Sequence, residues 1–355
     1  MTMRIHPGVA AALAAAALFG ASTPLDKLLL DRTDPWLLAA LLYLGSGVGL
    51  WLLRRLRRAP AVDLARGEQF WLAGAVLSGG VVGPVLLMIG LSGMAASSAS
   101  LLLNAESVFT VLLAWGLFRE NVDRRIAAGM VAIVAGGVLL AWSPSVPAGA
   151  SDPALWPSLA IAGACLAWAI DNNLMRKVSL ADANWLAMVK GLVAGGVNLL
   201  LALLVVGAPW LDVGLVLLAA LLGFASYGVS LALFVVGLRE LGVARTGAYF
   251  SVAPFFGAAL AVLLLGEPVT WQLLTAGALM AIGVALHLAE RHEHRHAHEA
   301  MEHSHLHTHG AGDEHHDHRH DEPVPPGTRH AHSHRHEPLA HSHPHYPDVH
   351  HRHGH

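Results

Sequence analysis

The sequence is poor in charge and in cysteine. Of its 355 residues only 13% are Asp, Glu, Lys or Arg, whereas a soluble domain carries about a quarter. Cys165 is the single cysteine, which excludes an intramolecular disulfide and a thiol metal cluster. Only His6 and His287 of the 25 His precede Ala289. These shortages exclude a soluble enzyme, a nucleic-acid binder with a basic patch and a disulfide-stapled secreted module.

Apolar runs fill the chain up to Ala289. A helix needs about 20 mostly apolar residues to cross a bilayer. Most of the Trp lie at or near the ends of such runs, at the depth where the ring is buried and its N–H is hydrated. We therefore predict an all-α integral membrane protein with ten transmembrane helices, over about 8–30, 36–53, 70–91, 95–118, 126–142, 156–175, 184–206, 211–238, 243–265 and 271–288. A cleaved signal peptide is the alternative for the first run, and its removal would leave nine spans.

Lys and Arg are distributed unequally over the short loops. Alternate segments carry clusters such as Arg54, Arg55, Arg57 and Arg58, whereas the opposite set carries Arg32 and, at most, Lys27. Because basic residues remain in the cytoplasm, we predict a multi-pass protein of the inner or plasma membrane with both termini cytoplasmic.

The body repeats itself. The segment Leu102–Glu120 aligns with Tyr249–Glu267 at an offset of 147, and Leu18–Lys27 aligns more weakly with Ala167–Arg176. Each half holds five spans, an odd number, so the second half must be inverted. We predict two five-helix repeats over 1–146 and 147–289, followed by a disordered His-rich tail over 290–355. Inverted repeats are typical of secondary transporters, although a duplication without alternating access would give the same pattern.

Two motifs, each present in both halves, carry a resemblance to a known family. An aromatic and a small residue precede a Lys in the first span, and the pattern returns in the sixth. A helix that ends in Glu is followed by a Gly-rich helix in both halves. These motifs are Phe19-Gly20…Lys27, Trp168-Ala169…Arg176-Lys177, Phe118-Arg119-Glu120 and Leu265-Gly266-Glu267.

With this ten-span layout, Pro7–Leu288 resembles the EamA-type members of the drug/metabolite transporter superfamily. The resemblance implies a transporter that exports or imports one small solute, such as an amino acid, a metabolite, a drug or a cofactor. One position departs from the family pattern. The Pro of the fourth helix of a half is kept in the second half as Pro254, but the aligned residue of the first half is Ser107.

Glu106 is the first candidate site residue, because it lies near the middle of an apolar run. An ionisable side chain at that depth is costly, which makes it a functional hypothesis. A carboxyl there could take up and release a proton near neutral pH, as proton coupling requires. The alternative is a structural ion pair with a Lys.

A second polar patch lies in the sixth span. Antiparallel neighbours would place Asp171 and Lys190 at similar depth, which predicts an ion pair that Glu106 could share. Lys190 could instead reach the cytoplasmic interface. The remaining candidates for a polar cavity that binds the solute or the coupling ion are Asn172, Asn173, Asn104, Tyr227 and Tyr249, although such side chains also hydrogen-bond between helices.

The tail alternates His with other residues and contains almost no apolar ones, so we expect it to remain unfolded. Imidazoles on a flexible chain could converge on Zn²⁺, Ni²⁺, Co²⁺ or Cu²⁺. The alternatives are proton buffering and low-complexity drift without a function. The candidate metal ligands are His303, His305, His307, His309, His315, His316, His318, His320, His332, His334 and His336.

The sequence predicts a secondary transporter that moves a small organic solute by alternating access, with a metal-binding cytoplasmic tail. No enzyme motif and no ATP site occur in the body, so we expect no enzyme and no required cofactor. The expected partners are the lipid bilayer, a small solute and transition-metal ions, without nucleic acid, and a homodimer stays open. The alternatives are a divalent transition-metal transporter and a membrane-anchored metal buffer or sensor.

Overall fold

The computed structural model describes residues 7–60, 62, 66–118, 124–142, 155–175, 178, 182–207, 212–241, 243–288, 293–298, 301–308, 329–336 and 339–344. The chain divides into two units, Met1–Glu290 and Arg291–His355. The first is helical and contains the candidate site. The second contains short strands.

The first half of the helical unit has five consecutive helical segments, of which the third and the fourth consist of more than one piece. They are α1 Pro7–Leu30; α2 Pro35–Leu56; α3 Arg66–Ala75, the π-helical Val76–Val82 and α4 Gly83–Ser92; α5 Ala96–Leu102 and α6 Ala105–Phe118; and α7 Arg124–Ala141.

The second half has the same composition in the same order. Its segments are α8 Leu155–Met175; α9 Ala183–Val205; α10 Val213–Gly223, the π-helical Phe224–Val229 and α11 Ser230–Leu241; α12 Val243–Phe250 and α13 Ala253–Leu265; and α14 Trp271–Leu288. The ten segments cover the ten predicted runs. Among the residues that the structure describes, seven helices are long and apolar enough to cross a membrane, and Ala253–Leu265 and Trp271–Leu286 are shorter apolar helices.

Short acidic side chains begin several of these helices. Asp34 accepts a hydrogen bond from Trp36 N at 2.8 Å, and Asp182 accepts one from Trp185 N at the same distance. Asp212 starts α10 in the same way, through Gly214 N. Each carboxylate satisfies a backbone N–H that the helix itself leaves without a partner. The acidic residues between the apolar runs therefore fix where the spans begin.

The fourth span of each half is broken, whereas the sequence predicted continuous helices over 95–118 and 243–265. In the first half, Asn104 Nδ2 donates to Leu101 O at 2.8 Å, and Ser107 Oγ donates to Asn104 O at 2.7 Å. In the second half, Pro254 lies at the start of α13 and lacks a backbone N–H. Polar side chains in one half and a proline in the other thus produce the same break.

The contacts between the halves repeat with the same symmetry. The second spans, α2 and α9, pack against each other, and so do the fifth spans, α7 and α14. The first span α1 contacts α11 and α13 of the second half, and its counterpart α8 contacts α4 and α6 of the first half. Because each half has an odd number of spans, the two halves cross the membrane in opposite directions.

The outer face of the helical unit is apolar. Phe70, Leu204, Leu263 and Trp271 are each more than 70% exposed. An apolar surface of this extent is expected of a protein surrounded by lipid, where exposed side chains contact acyl chains rather than water.

The described residues of the second unit form four strands: β1 Glu293–His298, β2 Met301–Thr308, β3 Arg329–His336 and β4 Leu339–Pro344. β1 pairs with β4 and β2 pairs with β3, both antiparallel. The sequence analysis did not predict these strands. The His-x-His alternation has the period of two that a strand requires, and ladder pairing satisfies backbone groups without an apolar core.

Candidate functional site

A cavity of about 330 Å³ lies between the two halves of the helical unit. Together the two halves contribute charged, amide, hydroxyl and aromatic groups to its wall. Its volume lies at the lower end of the range for small-molecule sites. The lining residues are Phe19, Tyr43, Ser46, Glu106, Trp168, Asn172, Ala187, Lys190, Gly191, Ser226, Tyr227, Ser230, Leu231, Phe234 and Phe250.

The break in the fourth span determines the position of Glu106. Because α6 begins at Ala105, Glu106 lies in the first turn of a helix rather than in the middle of one. The partial positive charge at a helix N-terminus favours a carboxylate there. Its Oε1 accepts a hydrogen bond of 2.7 Å from Asn172 Nδ2 of α8. Glu106 and Asn172 thus connect the two halves at the cavity wall.

The predicted ion pair between Asp171 and Lys190 is present. Lys190 Nζ of α9 binds Asp171 Oδ2 of α8, and the two side chains are only 18% and 6% exposed. Because Lys190 also lines the cavity, a solute there would meet a cation whose charge Asp171 already balances. Glu106 stands on the same wall and is bound by Asn172.

Two π-helical segments contribute to the site, and no sequence pattern predicted them. A π turn leaves backbone carbonyls free for other donors and often occurs at functional sites. Gly79 O accepts from Tyr43 OH and from Trp168 Nε1, each at 2.9 Å. The corresponding segment of the second half carries Ser226 and Tyr227, which both line the cavity.

Four predicted site residues are not part of the cavity wall, and the first is Asp171, which is buried against Lys190. Asn104 donates to Leu101 O within the helix break, and Asn173 donates to Ala169 O within α8. Tyr249 is replaced at the wall by its neighbour Phe250. Four of the predicted residues line the cavity: Glu106, Asn172, Lys190 and Tyr227.

The sequence analysis missed Asp26, which is 0% exposed. Its Oδ2 accepts from Tyr227 OH at 3.3 Å, and its Oδ1 has no hydrogen-bond partner among the described residues. The available signal was an acidic residue inside an apolar run. The adjacent Lys27 obscured it, because a basic residue close to the end of a run indicates the membrane interface.

Two charged residues hold the turn between the third and fourth spans. Lys27 Nζ donates to Leu91 O at 2.7 Å, at the end of α4. Glu267 accepts from Ala96 N at 2.6 Å and from Ser97 N at 2.8 Å, at the start of α5. These two contacts are hereafter the clamp. The Lys27 contact lies within the first half, and the Glu267 contact connects the second half to the first. The repeat counterparts Glu120 and Arg176 lie outside the described residues.

A larger depression of about 540 Å³ lies between α3 and α9. Its wall is almost wholly apolar and includes exposed Leu77, Val193 and Val197. It contains none of the predicted site residues. An apolar depression on an exposed face is part of the surface expected to contact lipid.

The predicted metal ligands of the tail divide into two groups. In the β2–β3 ladder, His303 lies opposite His334 and His305 opposite His332. His307 and His336 belong to the same strands. The ligands His309, His315, His316, His318 and His320 lie outside the described residues. Among the side chains that the structure describes, no group of three or more His, Cys, Asp or Glu could hold a metal ion.

The fold and the cavity define a class of protein. Two similarly built five-helix halves with a partly polar cavity between them are the architecture of a membrane transporter with a central site. The model of the EamA-like transporter family matches the chain twice, over residues 6–142 and 155–289. The chain belongs to the EamA-like transporter family, as the sequence resemblance indicated.

Known proteins support this membership. An uncharacterized transporter of Methanothermobacter thermautotrophicus is 29% identical over 297 residues, which are 79% of this chain and 86% of that protein. A solved structure described only as the crystal structure of a protein matches with a TM-score of 0.57 and 19% identity. The match covers 79% of this chain and 96% of that one, and it supports the fold alone.

Proposed function

We propose that the protein moves a small organic solute across the membrane by alternating access and that the cavity is the solute site. The single observation that carries the proposal is the composition of the cavity wall. Glu106 of the first half faces Asn172 and Lys190 of the second half, and aromatic rings surround them. A solute bound there contacts both halves, so movement of one half against the other changes its access.

The wall favours an organic cargo over a metal ion. Phe19, Trp168, Phe234 and Phe250 offer ring surface to an apolar part of the solute, and Glu106 offers a hydrogen-bond acceptor. A divalent metal ion requires several oxygen or nitrogen ligands and gains nothing from a nearby ammonium group. Lys190 therefore argues against a metal path through the cavity.

The spans also suggest which side the cavity faces. Glu106, Asn172 and Lys190 lie in the half of the membrane towards the ends of α2 and α8, where the Lys/Arg clusters predict cytoplasm. The clamp closes the opposite end, at the α4–α5 turn. We infer an inward-facing state, with Glu106 as the group that couples transport to protons.

Uptake by the full chain in proteoliposomes tests this function. A panel of amino acids, organic acids, amines and aromatic drugs is compared with Ni²⁺, Co²⁺ and Zn²⁺, with and without a pH gradient. We expect one organic class to accumulate and the metals not to. Accumulation of a metal with no organic uptake would reverse the ranking of the two cargo classes.

We further propose that the tail binds transition metals in the cytoplasm. The opposite placement of His303 and His334, and of His305 and His332, supports this, because facing residues of a ladder lie close together. Calorimetric titration with Zn²⁺ or Ni²⁺ tests the full chain against a chain that ends at Ala289. Equal binding by both chains would refute the proposal. A reporter fused after His355 tests the cytoplasmic location.

A further inference from the structure

Asp26 is the buried acidic group that the cavity does not use. It lies in the last two turns of α1, two residues after Pro24, and is 0% exposed. The described ion pairs are Arg32–Asp212, Arg54–Asp182 and Lys190–Asp171. None of them includes Asp26. An ionised carboxyl in such a place is costly unless a cation or several donors surround it.

The nearest cation is directed elsewhere. Lys27 follows Asp26 in the sequence, but its ammonium group donates to Leu91 O and Ser92 O at 2.7 Å and 3.2 Å. Asp171 shows the contrast, since it is also buried but has Lys190 as its partner. Asp26 receives one long hydrogen bond, from Tyr227.

We propose that Asp26 is a proton-binding site separate from Glu106, and that Tyr227 transmits its state to the cavity. A proton on the orphaned Oδ1 removes the charge and supplies a donor in its place. Tyr227 OH contacts Asp26 Oδ2 at 3.3 Å and Ser22 Oγ at 3.5 Å, while its ring lines the cavity. A change at Asp26 therefore alters a side chain that a bound solute touches.

The position of Asp26 suits this role. It lies between Tyr227 and the clamp, near the end of α1 that the clamp closes. Separation of the clamp would expose this end of α1 to the outer solution, where the carboxylate can take up a proton. The cavity and the proton site are then on opposite sides of one tyrosine.

The helices that pack against α1 carry a few other titratable groups. Tyr43 is the one in ring contact with Tyr227, at 5.6 Å between centroids, and its hydroxyl donates to Gly79 O. The others among the described side chains are Arg54, which binds Asp182; Arg55, which lies over the Trp51 ring; and Tyr249.

Infrared difference spectroscopy of the full chain in liposomes tests the site directly and needs no cargo. At neutral pH we expect the C=O band of a protonated carboxyl in the unaltered protein, in Glu106→Gln and in Asp171→Asn. This band, the one that Glu106→Gln leaves in place, should be absent from Asp26→Asn, and it should shift in Tyr227→Phe, which lacks the hydrogen bond. Asp26→Glu, which keeps a carboxyl, should restore a band.

Three results would overturn the proposal. The first is that this band persists unchanged in Asp26→Asn, and the second is that Tyr227→Phe does not affect it. The third is loss of the band when NaCl replaces choline chloride, because Asp26 would then hold a sodium ion. If Asp26→Asn does not fold, the band shift in Tyr227→Phe and the comparison of NaCl with choline chloride still test the proposal.

A second experiment rests on the proposed function. With the cargo found in the uptake panel, Asp26→Asn should lose accumulation driven by a pH gradient at least tenfold, yet retain exchange of internal for external cargo. Loss of both activities would assign Asp26 to solute binding instead. If no solute is transported at all, the proposed function fails while the infrared result still stands for or against the proton site.

Discussion

Glu106 and Asn172 are joined by a hydrogen bond of 2.7 Å between the two halves of the protein. Glu106 lies in the first turn of α6 in the first half, and Asn172 lies in the last turn of α8 in the second half. Movement of the halves against each other must therefore stretch this bond or carry both helices along. The contact places the candidate solute site at the point where alternating access would act.

Replacement of Glu106 by Gln tests the charge at this contact. The amide can still accept from Asn172, so the fold should persist while the charge is lost. We expect initial rates of cargo uptake to fall roughly tenfold or more, which corresponds to about 1.4 kcal/mol. Glu68→Gln, in the first turn of α3 and outside the cavity wall, is the matched control. Uptake that keeps its full rate and its pH dependence would remove Glu106 from the coupling role.

The Lys190–Asp171 pair should behave as a buried ion pair. Removal of one partner leaves the other charge without compensation, which costs about 3 kcal/mol or more. Thermal unfolding in detergent should show Asp171→Asn and Lys190→Gln each well below the unaltered protein. The double variant should be more stable than the less stable single variant. Strict addition of the two losses would show that the residues act independently.

Gly79 should be essential for transport because the adjacent Asp171 leaves no room for a methyl group at this position. A Cβ there would overlap the carboxyl of Asp171, so Gly79→Ala should displace Asp171 from Lys190 and reduce uptake. Gly116→Ala is the control, because a Cβ at Gly116 meets no atom within 4 Å. Uptake by each variant, normalised to the amount of protein in the membrane, is the measurement. Equal activity of both would contradict the tight contact.

Much of the fold was predictable because a bilayer leaves few options. Each span must be long and apolar, and each helix must satisfy its own backbone. The runs therefore coincide with α1, α2 and the other spans. The breaks at Leu103–Asn104 and Ser251–Val252 were not predicted, since both lie inside runs that are apolar enough for a continuous helix. The strands of the tail were also missed, because low apolar content argued for disorder.

The charged residues of the candidate site could be predicted from the sequence. Glu106, Asp171 and Lys190 were found because an ionisable residue inside an apolar run is unusual. Asn104 and Asn173 were chosen for polarity, but local backbone carbonyls bind their amides. Whether such a side chain faces its own helix or the cavity depends on breaks and π turns, which the hydropathy pattern does not contain.

The clamp should control access to the cavity from the side of the membrane opposite the cytoplasm. Glu267→Ala removes both hydrogen bonds to the first turn of α5 and should favour an outward-open state. Ser100 of α5 is 1% exposed beside Gly257 of α13. A Ser100→Cys variant, in a Cys165→Ala background, should react faster with an impermeant maleimide once Glu267→Ala is added.

Asp212→Ala is the control for the clamp, because Asp212 also begins a helix on that face but has only an exposed pair with Arg32. It should leave the labelling rate unchanged. An equal increase in both variants would indicate general loosening of the outer face rather than release of a clamp.

The central claim is that cargo binds in the cavity between the halves. Ser46 lines this cavity and is 3% exposed, and Cys165, the only natural cysteine, is fully buried and is replaced by Ala in the background protein. The most direct measurement is the rate of thiol modification of Ser46→Cys, with and without saturating cargo. We expect the transported solute to slow the reaction and a solute that is not transported to leave it unchanged. Modification at the same rate with and without the transported solute would contradict the claim.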